Sequence, residues 1–371
     1  MNRYSLLAVR RMAARRDRGW SAISLPIISF LFFAAILFSF ACATRAQTSS
    51  ATSGQGVAGS ASAPAASPPA TTPRAKKHGV RRPRPSPIAQ PVILVGAGDI
   101  AGCKNIEGAQ ATAKLIEGIP GTVFAAGDLV YENGTVAEFR NCYDPTWGQF
   151  RDRTKPALGN HEYGSPGAAP YFAYWGAAAG AAGQGFYSYD LGAWHIVVLN
   201  TNCYASGLGG CAAGSPEETW LKDDLAKHAD GCILAYGHHA LFSSGFFKSH
   251  AVHPELKPFW RDLYAAHADL VLAGHEHSYE RFAPQDPEGQ TDEKNGIREI
   301  VVGTGGRSHD LLGLGTPNSE VRNWETYGVL KLVLSAHSYT WEFIPEEGKD
   351  FHDSGSGTCH NDPASSVPEA H

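Results

Sequence analysis

The chain has 371 residues, 43% of them apolar and 18% charged, a length and composition that can bury a full core and exclude a chain disordered throughout. Residues 1–90 hold 13 Lys or Arg against the single acidic Asp17, and the remainder holds 18 against 35 Asp or Glu, so a segment near +12 precedes one near −17. That acidic remainder excludes a folded domain that binds nucleic acid, because such a domain needs basic residues to neutralise phosphates.

The chain opens with Arg3, Arg10, Arg11, Arg15, Arg16 and Arg18, followed by an apolar run over residues 22–43 that ends in Ala41-Cys42-Ala43. This is the pattern of an export signal, either cleaved after small residues or kept as an N-terminal membrane anchor. The protein is therefore expected outside the cytoplasm, secreted or periplasmic, free or tethered through residues 22–43. Residues 44–90 are rich in Ala, Ser, Thr, Pro and Gly with a basic patch over 74–84. Without apolar periodicity they read as a disordered linker.

From residue 91 onward, short apolar runs alternate with helical patterns. Residues 92–97, 122–126, 195–200, 232–236, 269–273 and 297–302 each have the length of a buried strand. Ser215-Pro216-Glu217-Glu218 reads as an N-cap, a first-turn proline and a capping-box glutamate opening a helix to about residue 229. A second helix is expected over 254–268, and residues 327–345 read as a hairpin turning near 336–338. The mixture predicts an α/β domain over 91–346 with a hairpin on a sheet edge, followed by a tail over 347–371.

Seven cysteines include one in the leader, leaving six in an exported protein, where disulfides are expected. Cys203 and Cys211 flank a Gly-rich loop that closes locally, and Cys103 with Cys142 makes a plausible second pair. Cys232 opens an apolar run, and a simple buried thiol is the alternative reading for it.

The chemistry-bearing residues follow the strands. Gly98-Asp99 follows residues 92–97, and Gly127-Asp128-Leu129-Val130-Tyr131 follows 122–126. Gly159-Asn160-His161-Glu162 follows Pro156-Ala157-Leu158, Gly237-His238-His239 follows 232–236, and Gly274-His275-Glu276-His277 follows 269–273. Ligands of open α/β sheets gather at the carboxyl ends of strands. Taken singly, Asp99 reads as a turn former and Asn160 as a loop residue; five such junctions converging on one rim are what suggest a site. A glycosidase-type carboxylate pair does not need several histidines around it. The cysteines lack the spacing of a structural zinc site, and no GxSxG elbow stands near the histidines. Oxygen donors mixed with imidazoles suit two hydrolytic metal ions, iron, manganese or zinc.

In that order, these blocks resemble the calcineurin-like metallophosphoesterases, and Tyr131, three residues after Asp128, resembles the purple acid phosphatases among them. The resemblance runs over about residues 92–282, with Tyr279-Glu280-Arg281-Phe282 and Gly303-Thr304-Gly305-Gly306 extending it. It implies a four-layer αββα fold, with mixed β-sheets in a β-sandwich core flanked by helices. Asp128 would bridge two metals. Asp99, Tyr131 and His277 would complete an iron site, and Asn160, His238 and His275 a site for zinc, manganese or a second iron. The fourth block departs from the family by carrying Ala235 in place of valine, and His239 beside His238 blurs its register; His238 is preferred because it follows Gly237 directly.

The implied activity is phosphomonoester hydrolysis by direct attack of a hydroxide held on the metal pair, acting on a phosphorylated small molecule or phosphoprotein. The alternative is a phosphodiesterase or nucleotide pyrophosphatase with the same pair. His161 and His250 are the candidate proton donors to the leaving group. His228, His267 and His337 lie away from the strand ends and read as structural or surface residues.

Overall fold

The computed structural model describes residues 90–205, 207–247 and 252–361. The leader with its apolar run over residues 22–43, the linker to residue 89, and His250 lie outside the described residues. In chain order the strands are β1 (Val92–Ala97), β2 (Ala101–Gly102), β3 (Thr122–Ala126), β4 (Val130–Tyr131), β5 (Thr154–Ala157), β6 (Tyr187–Leu191), β7 (Trp194–Val198) and β8 (Cys232–Tyr236). They continue with β9 (Leu270–Ala273), β10 (Tyr279–Phe282), β11 (Arg298–Val302), β12 (Ser319–Asn323), β13 (Gly328–Leu334), β14 (Ser338–Pro345) and β15 (Ser354–Thr358). The longer helices are α1 (Glu107–Glu117), α2 (Ala169–Trp175), α3 (Pro216–Leu225) and α4 (Lys257–Ala265).

Two mixed sheets result, ordered β15-β14-β13-β1-β3-β5 and β12-β10-β11-β9-β8-β7-β6, with β2 and β4 as a small parallel pair. One end of the first sheet, β1-β3-β5, and the centre of the second, β7-β8-β9-β11, are parallel. Successive strand residues face opposite ways, and the second sheet divides its side chains accordingly. Ile196, Val198, Leu234, Tyr236, Leu270 and Leu272 join Leu94, Phe124 and Leu330 of the first sheet in one buried cluster. Their neighbours Val197, Ile233, Ala235 and Val271 turn outward onto Leu221 and Leu225 of α3 and Phe259, Trp260 and Leu263 of α4. Ala109, Ala113 and Ile116 of α1 complete the first cluster. The result is the expected sandwich of mixed sheets with helices outside.

Three expectations are corrected. The helix opened by Ser215 ends at Leu225 rather than near residue 229, because His228 Nδ1 takes the Asp224 carbonyl at 2.8 Å and closes the last turn. Its capping box is half formed: Ser215 Oγ accepts from Glu218 N at 3.2 Å, while the Glu218 carboxylate accepts from Gly214 N at 3.0 Å. The segment expected as a helix over 254–268 begins as a tighter turn, Pro254–Leu256, and becomes α-helical over Lys257–Ala265. His267 at φ 58° marks the exit.

The third correction concerns the C-terminus. The sheet does not stop at Pro345: β15 pairs antiparallel with β14, from Ser338 opposite Thr358 to Glu342 opposite Ser354. Cys359 then bonds Cys232, so Cys232 is half of a disulfide and not a lone buried thiol. The expected pairs Cys103–Cys142 and Cys203–Cys211 are both present. The Cys232–Cys359 bond spans 127 positions, and a loop that long restrains the unfolded chain strongly. Cys359→Ser is expected to lower unfolding free energy by about 2–5 kcal/mol in a denaturant titration, with no change in metal content.

Several buried carboxylates shape the pH response. Glu299 accepts from Leu241 N and Phe242 N, both at 3.0 Å, and burial pushes its pKa up to about 8. Asp269 holds His360 N at 2.8 Å and Ile233 N at 2.9 Å, and burial raises it to about 6. With folded pKa values above the unfolded ones, these groups bind more protons in the native state. Their contribution is full below about pH 4 and is lost as pH rises through 6 and then 8. Unfolding free energy measured at constant ionic strength is therefore expected to fall from pH 5 to pH 8; a rise over that window would contradict this.

Candidate metal centre

The parallel strands of both sheets end on one rim. Asp99 follows β1, Asp128 follows β3 and Asn160 follows β5, while His238 follows β8 and His275 and His277 follow β9. Asp99, Asp128 and His275 take left-handed backbone conformations with φ of 60°, 49° and 71°. Such strain in non-glycine residues persists only where the surroundings impose it and clusters at functional turns. Room for the turns comes from glycine: a Cβ on Gly159 would stand 2.1 Å from Asp128 Oδ1, and one on Gly274 would stand 2.6 Å from Asp99 Oδ2.

The seven side chains singled out as metal ligands are brought together in two groups. In the first, Tyr131 Oη donates to Asp99 Oδ1 at 2.8 Å and lies 3.2 Å from His277 Nε2, which is 3.4 Å from Asp99 Oδ1. In the second, His238 Nε2 stands 3.1 Å from Asn160 Oδ1, 3.2 Å from His275 Nδ1 and 3.3 Å from Asp128 Oδ2. Two ligands of a cation at about 2.1 Å stand roughly 3 to 3.5 Å apart, so these spacings suit a metal. The proton inventory agrees. His238 Nδ1 faces the Ala126 carbonyl at 2.9 Å, which in a neutral ring leaves Nε2 a lone pair aimed at two oxygens and a nitrogen. A cation satisfies that arrangement where a single proton cannot.

Electrostatics within the protein are strongly coupled. Burial opposes the charge on His238, yet the Asp128 carboxylate lifts its pKa to about 9. Asp128, against the same opposition, is held well below the usual carboxylate range by His238. Burial and the field of His238 drop His275 to about 3. Burial, with Asp128 and Asp99 alongside, pushes the Tyr131 phenol well above its ordinary value; a bound cation reverses that sign.

His161 lies in the same place. Its backbone N donates to Asp128 Oδ1 at 2.9 Å, its Nδ1 meets the Glu132 carbonyl at 2.7 Å, and its Nε2 is 3.8 Å from Asp128 Oδ2. His239, the register competitor of His238, turns to Thr201 Oγ1 at 2.9 Å and packs its ring on His275 at 4.5 Å. His238 thus meets Asn160 and Asp128 directly, whereas His239 packs beside His275 and lines a neighbouring hollow with Asn160. A cleft of about 520 Å³ opens onto Asp128, Asn160, His161, His275 and His277. Phe246, Phe247 and Leu311, all largely exposed, form an apolar lip.

Residues beyond the sequence reading hold the cluster in place. The buried Glu162 carboxylate accepts from Gly159 N and Leu129 N at 2.8 Å, Asp128 N at 3.0 Å and Val130 N at 3.3 Å. It clamps the turns after β3 and β5 together. Its presence in the block Gly159-Asn160-His161-Glu162 was the available signal. Ser308 Oγ lies 2.6 Å from His277 Nδ1, and the Arg307 guanidinium lies over the Tyr131 ring at 4.8 Å. Nothing in the local sequence around 307–308 marks those roles.

The family model for calcineurin-like phosphoesterases matches residues 94–279, and the chain belongs to that family. Among curated proteins, purple acid phosphatase 23 of Arabidopsis thaliana is 27% identical over 239 residues, which is 54% of this chain and 50% of that protein. Probable purple acid phosphatase 20 of the same plant is 28% identical over 249 residues, 58% and 53% of the two chains. The aligned part of the chain thus spans about half the length of these relatives. Among solved structures, the purple acid phosphatase PPD1 from yellow lupin (Lupinus luteus) seeds superposes with a TM-score of 0.58 at 20% identity, over 72% of this chain and 54% of that one. GAP50, the anchor in the inner membrane complex of Plasmodium, reaches the same score at 15% identity over 73% and 89%. These two likenesses show the shared fold.

Proposed function

We propose that the chain is an exported phosphatase that hydrolyses phosphomonoesters of a small molecule or a phosphoprotein on a pair of metal ions. The observation that carries this is the pair of donor groups, Asp99-Tyr131-His277 and Asn160-His238-His275, meeting at Asp128, whose carboxylate lies within 4.8 Å of Asp99 and His238 and lines an open cleft. Asp128 would bridge the pair. Iron suits the phenol-bearing group and zinc, manganese or a second iron the other, by the hardness of their donors. When bound, the two cations clamp phosphate and acidify a water ligand, taking its pKa from 15.7 toward about 7.

The protein's own part is positional. Glu162 and the three left-handed turns hold the donors before substrate arrives. His161 presents Nε2 to the cleft while Nδ1 is tied to the Glu132 carbonyl, a placement suited to handing a proton to the departing alkoxide. His161→Gln is expected to lower kcat by about 10²-fold on alkyl phosphates and far less on p-nitrophenyl phosphate, whose leaving group needs no proton. Equal losses on both would remove this role. Export is supported by the arginine-led apolar leader and by three disulfides. Among the described residues, no helix is long and apolar enough to cross a membrane.

Metal analysis combined with turnover of p-nitrophenyl phosphate and its bis ester tests the reading. Two metals per chain at this centre, a visible tyrosinate-to-iron band that vanishes in Tyr131→Phe, and preference for the monoester are expected. A colourless active protein with zinc or manganese alone would remove the iron assignment, and preference for the bis ester would favour the diesterase.

A further inference from the structure

The cleft beside the candidate metal centre has an apolar side that the donors do not account for. Six large hydrophobic side chains are exposed among the described residues, and three of them, Phe246, Phe247 and Leu311, line this one cleft. Scattered singly, such residues are ordinary surface; gathered on the rim of a concave site, they mark what the site binds. The backbone beneath them is fixed. Gly245 and Leu312 form an antiparallel bridge, Phe246 N donates to the Leu311 carbonyl at 3.1 Å, and Gly313 N donates to the Ser244 carbonyl at 2.7 Å. Ser244 is buried, its N donating to Glu280 Oε2 at 2.7 Å and its Oγ accepting from Thr316 N at 3.0 Å. A short ribbon rooted on β10 thus carries the three side chains out to the solvent, where they add nothing to the core.

The geometry of the rim favours one kind of occupant. The Phe246 and Phe247 rings stand edge to face, with centroids 5.1 Å apart and planes at 86°. They offer an incoming ring both an edge and a face, the two contacts that aromatic pairs prefer. His309 lines the same cleft with its ring held flat on Tyr327, centroids 4.0 Å apart and planes at 21°. The half-exposed Asp310 carboxylate lines it too, so a leaving group with a second anionic group meets like charge there. A phosphoryl group placed on the donors therefore leaves its alcohol half beside aromatic and aliphatic carbon, where an uncharged ring gains most from leaving water.

We propose that Phe246, Phe247 and Leu311 form a subsite for the alcohol half of the substrate, and that the preferred substrates are phosphomonoesters of alcohols bearing an aromatic ring. The class takes in free small molecules and phosphotyrosine side chains alike. The inference rests on the phosphatase reading and narrows it. Hydrolysis adds water across the phosphorus–oxygen ester bond, giving inorganic phosphate and the ring-bearing alcohol. Contacts to the ring lie away from the phosphorus, so they distinguish one ester from another by binding rather than by the ease with which the alcohol departs.

The test compares benzyl phosphate with glycerol 2-phosphate, two alkyl esters that differ in the ring. Wild-type protein is expected to favour benzyl phosphate by about 10-fold or more in kcat/KM, and the ratio should fall to near unity in the double variant Phe246→Ala, Phe247→Ala. Leu314→Ala, an exposed apolar residue outside the lining of the cleft, should keep the wild-type ratio. A phosphotyrosine peptide turned over faster than benzyl phosphate would assign the ring to a protein side chain, and the reverse order to a free small molecule; both orders support the subsite. Calorimetry with benzylphosphonate and methylphosphonate, which have no ester to cleave, reads the same preference as binding. Tighter benzylphosphonate binding that the double variant loses, without turnover of either ester, would keep the subsite and remove the phosphatase reading. Turnover of both esters at a ratio equal in wild type and double variant, or equal binding of the two phosphonates by wild type, would overturn the proposal.

Discussion

Asp128→Asn is expected to lower kcat/KM for a phosphomonoester by at least about 10³-fold while leaving the fold intact. The asparagine keeps the shape of the carboxylate, so His161 N can still bond Oδ1, as it does at 2.9 Å, and Glu162 can still hold the backbone N at 3.0 Å. The second oxygen changes. Asp128 Oδ2 faces His238 Nε2 at 3.3 Å, and an amide NH₂ there brings two hydrogens and no charge into the space where both donor groups meet. A neutral amide cannot bridge two cations. Lewis-acid activation is worth several kcal/mol, and about 4 kcal/mol corresponds to 10³ in rate. Steady-state kinetics, metal content and a thermal melt on the same preparation decide the matter: activity within tenfold of wild type at full metal content would sink the bridging role.

The strands that carry the donors were legible because burial on both faces leaves an unbroken apolar run. Val92–Ala97, Thr122–Ala126 and Cys232–Tyr236 have the same bounds in sequence and structure. The glycine after each run was legible as a turn, and the polar residue after the glycine as a candidate ligand. The strands that escaped notice are the ones without that burial. Ser319–Asn323 lies at the outer edge of its sheet with alternating exposure, and Ser354–Thr358 reads Ser-Gly-Ser-Gly-Thr, with no side chain to betray a strand. Gly355 and Gly357 are needed there, because a Cβ at either would strike the Trp341 or Tyr339 ring at 2.2 and 2.4 Å. The composition that hid β15 is what lets it lie flat on two aromatic rings.

Glu162 connects the legible donors to the illegible support, and its removal should be the most damaging change outside the donors themselves. It is fully buried and gives both oxygens to backbone N–H groups at Leu129, Asp128 and Gly159, with Val130 at longer range. Burial and the charge of Asp128 push its pKa up to about 8, while those N–H groups favour the carboxylate. Glu162→Ala leaves several buried donors without an acceptor, at about 1–3 kcal/mol for each that water cannot reach. Unfolding free energy is expected to fall by about 3 kcal/mol or more, with metal affinity or activity down by about 10 to 100-fold. The two effects share a cause, because the clamp sets the distance between Asp128 and Asn160, which belong to different turns. Glu162→Gln separates them: its one amide oxygen still accepts, but its NH₂ opposes the N–H groups on the other side, so an intermediate loss in both quantities is expected. A Glu162→Ala protein with wild-type stability and metal affinity would mean that glycine and strand pairing alone fix the two turns.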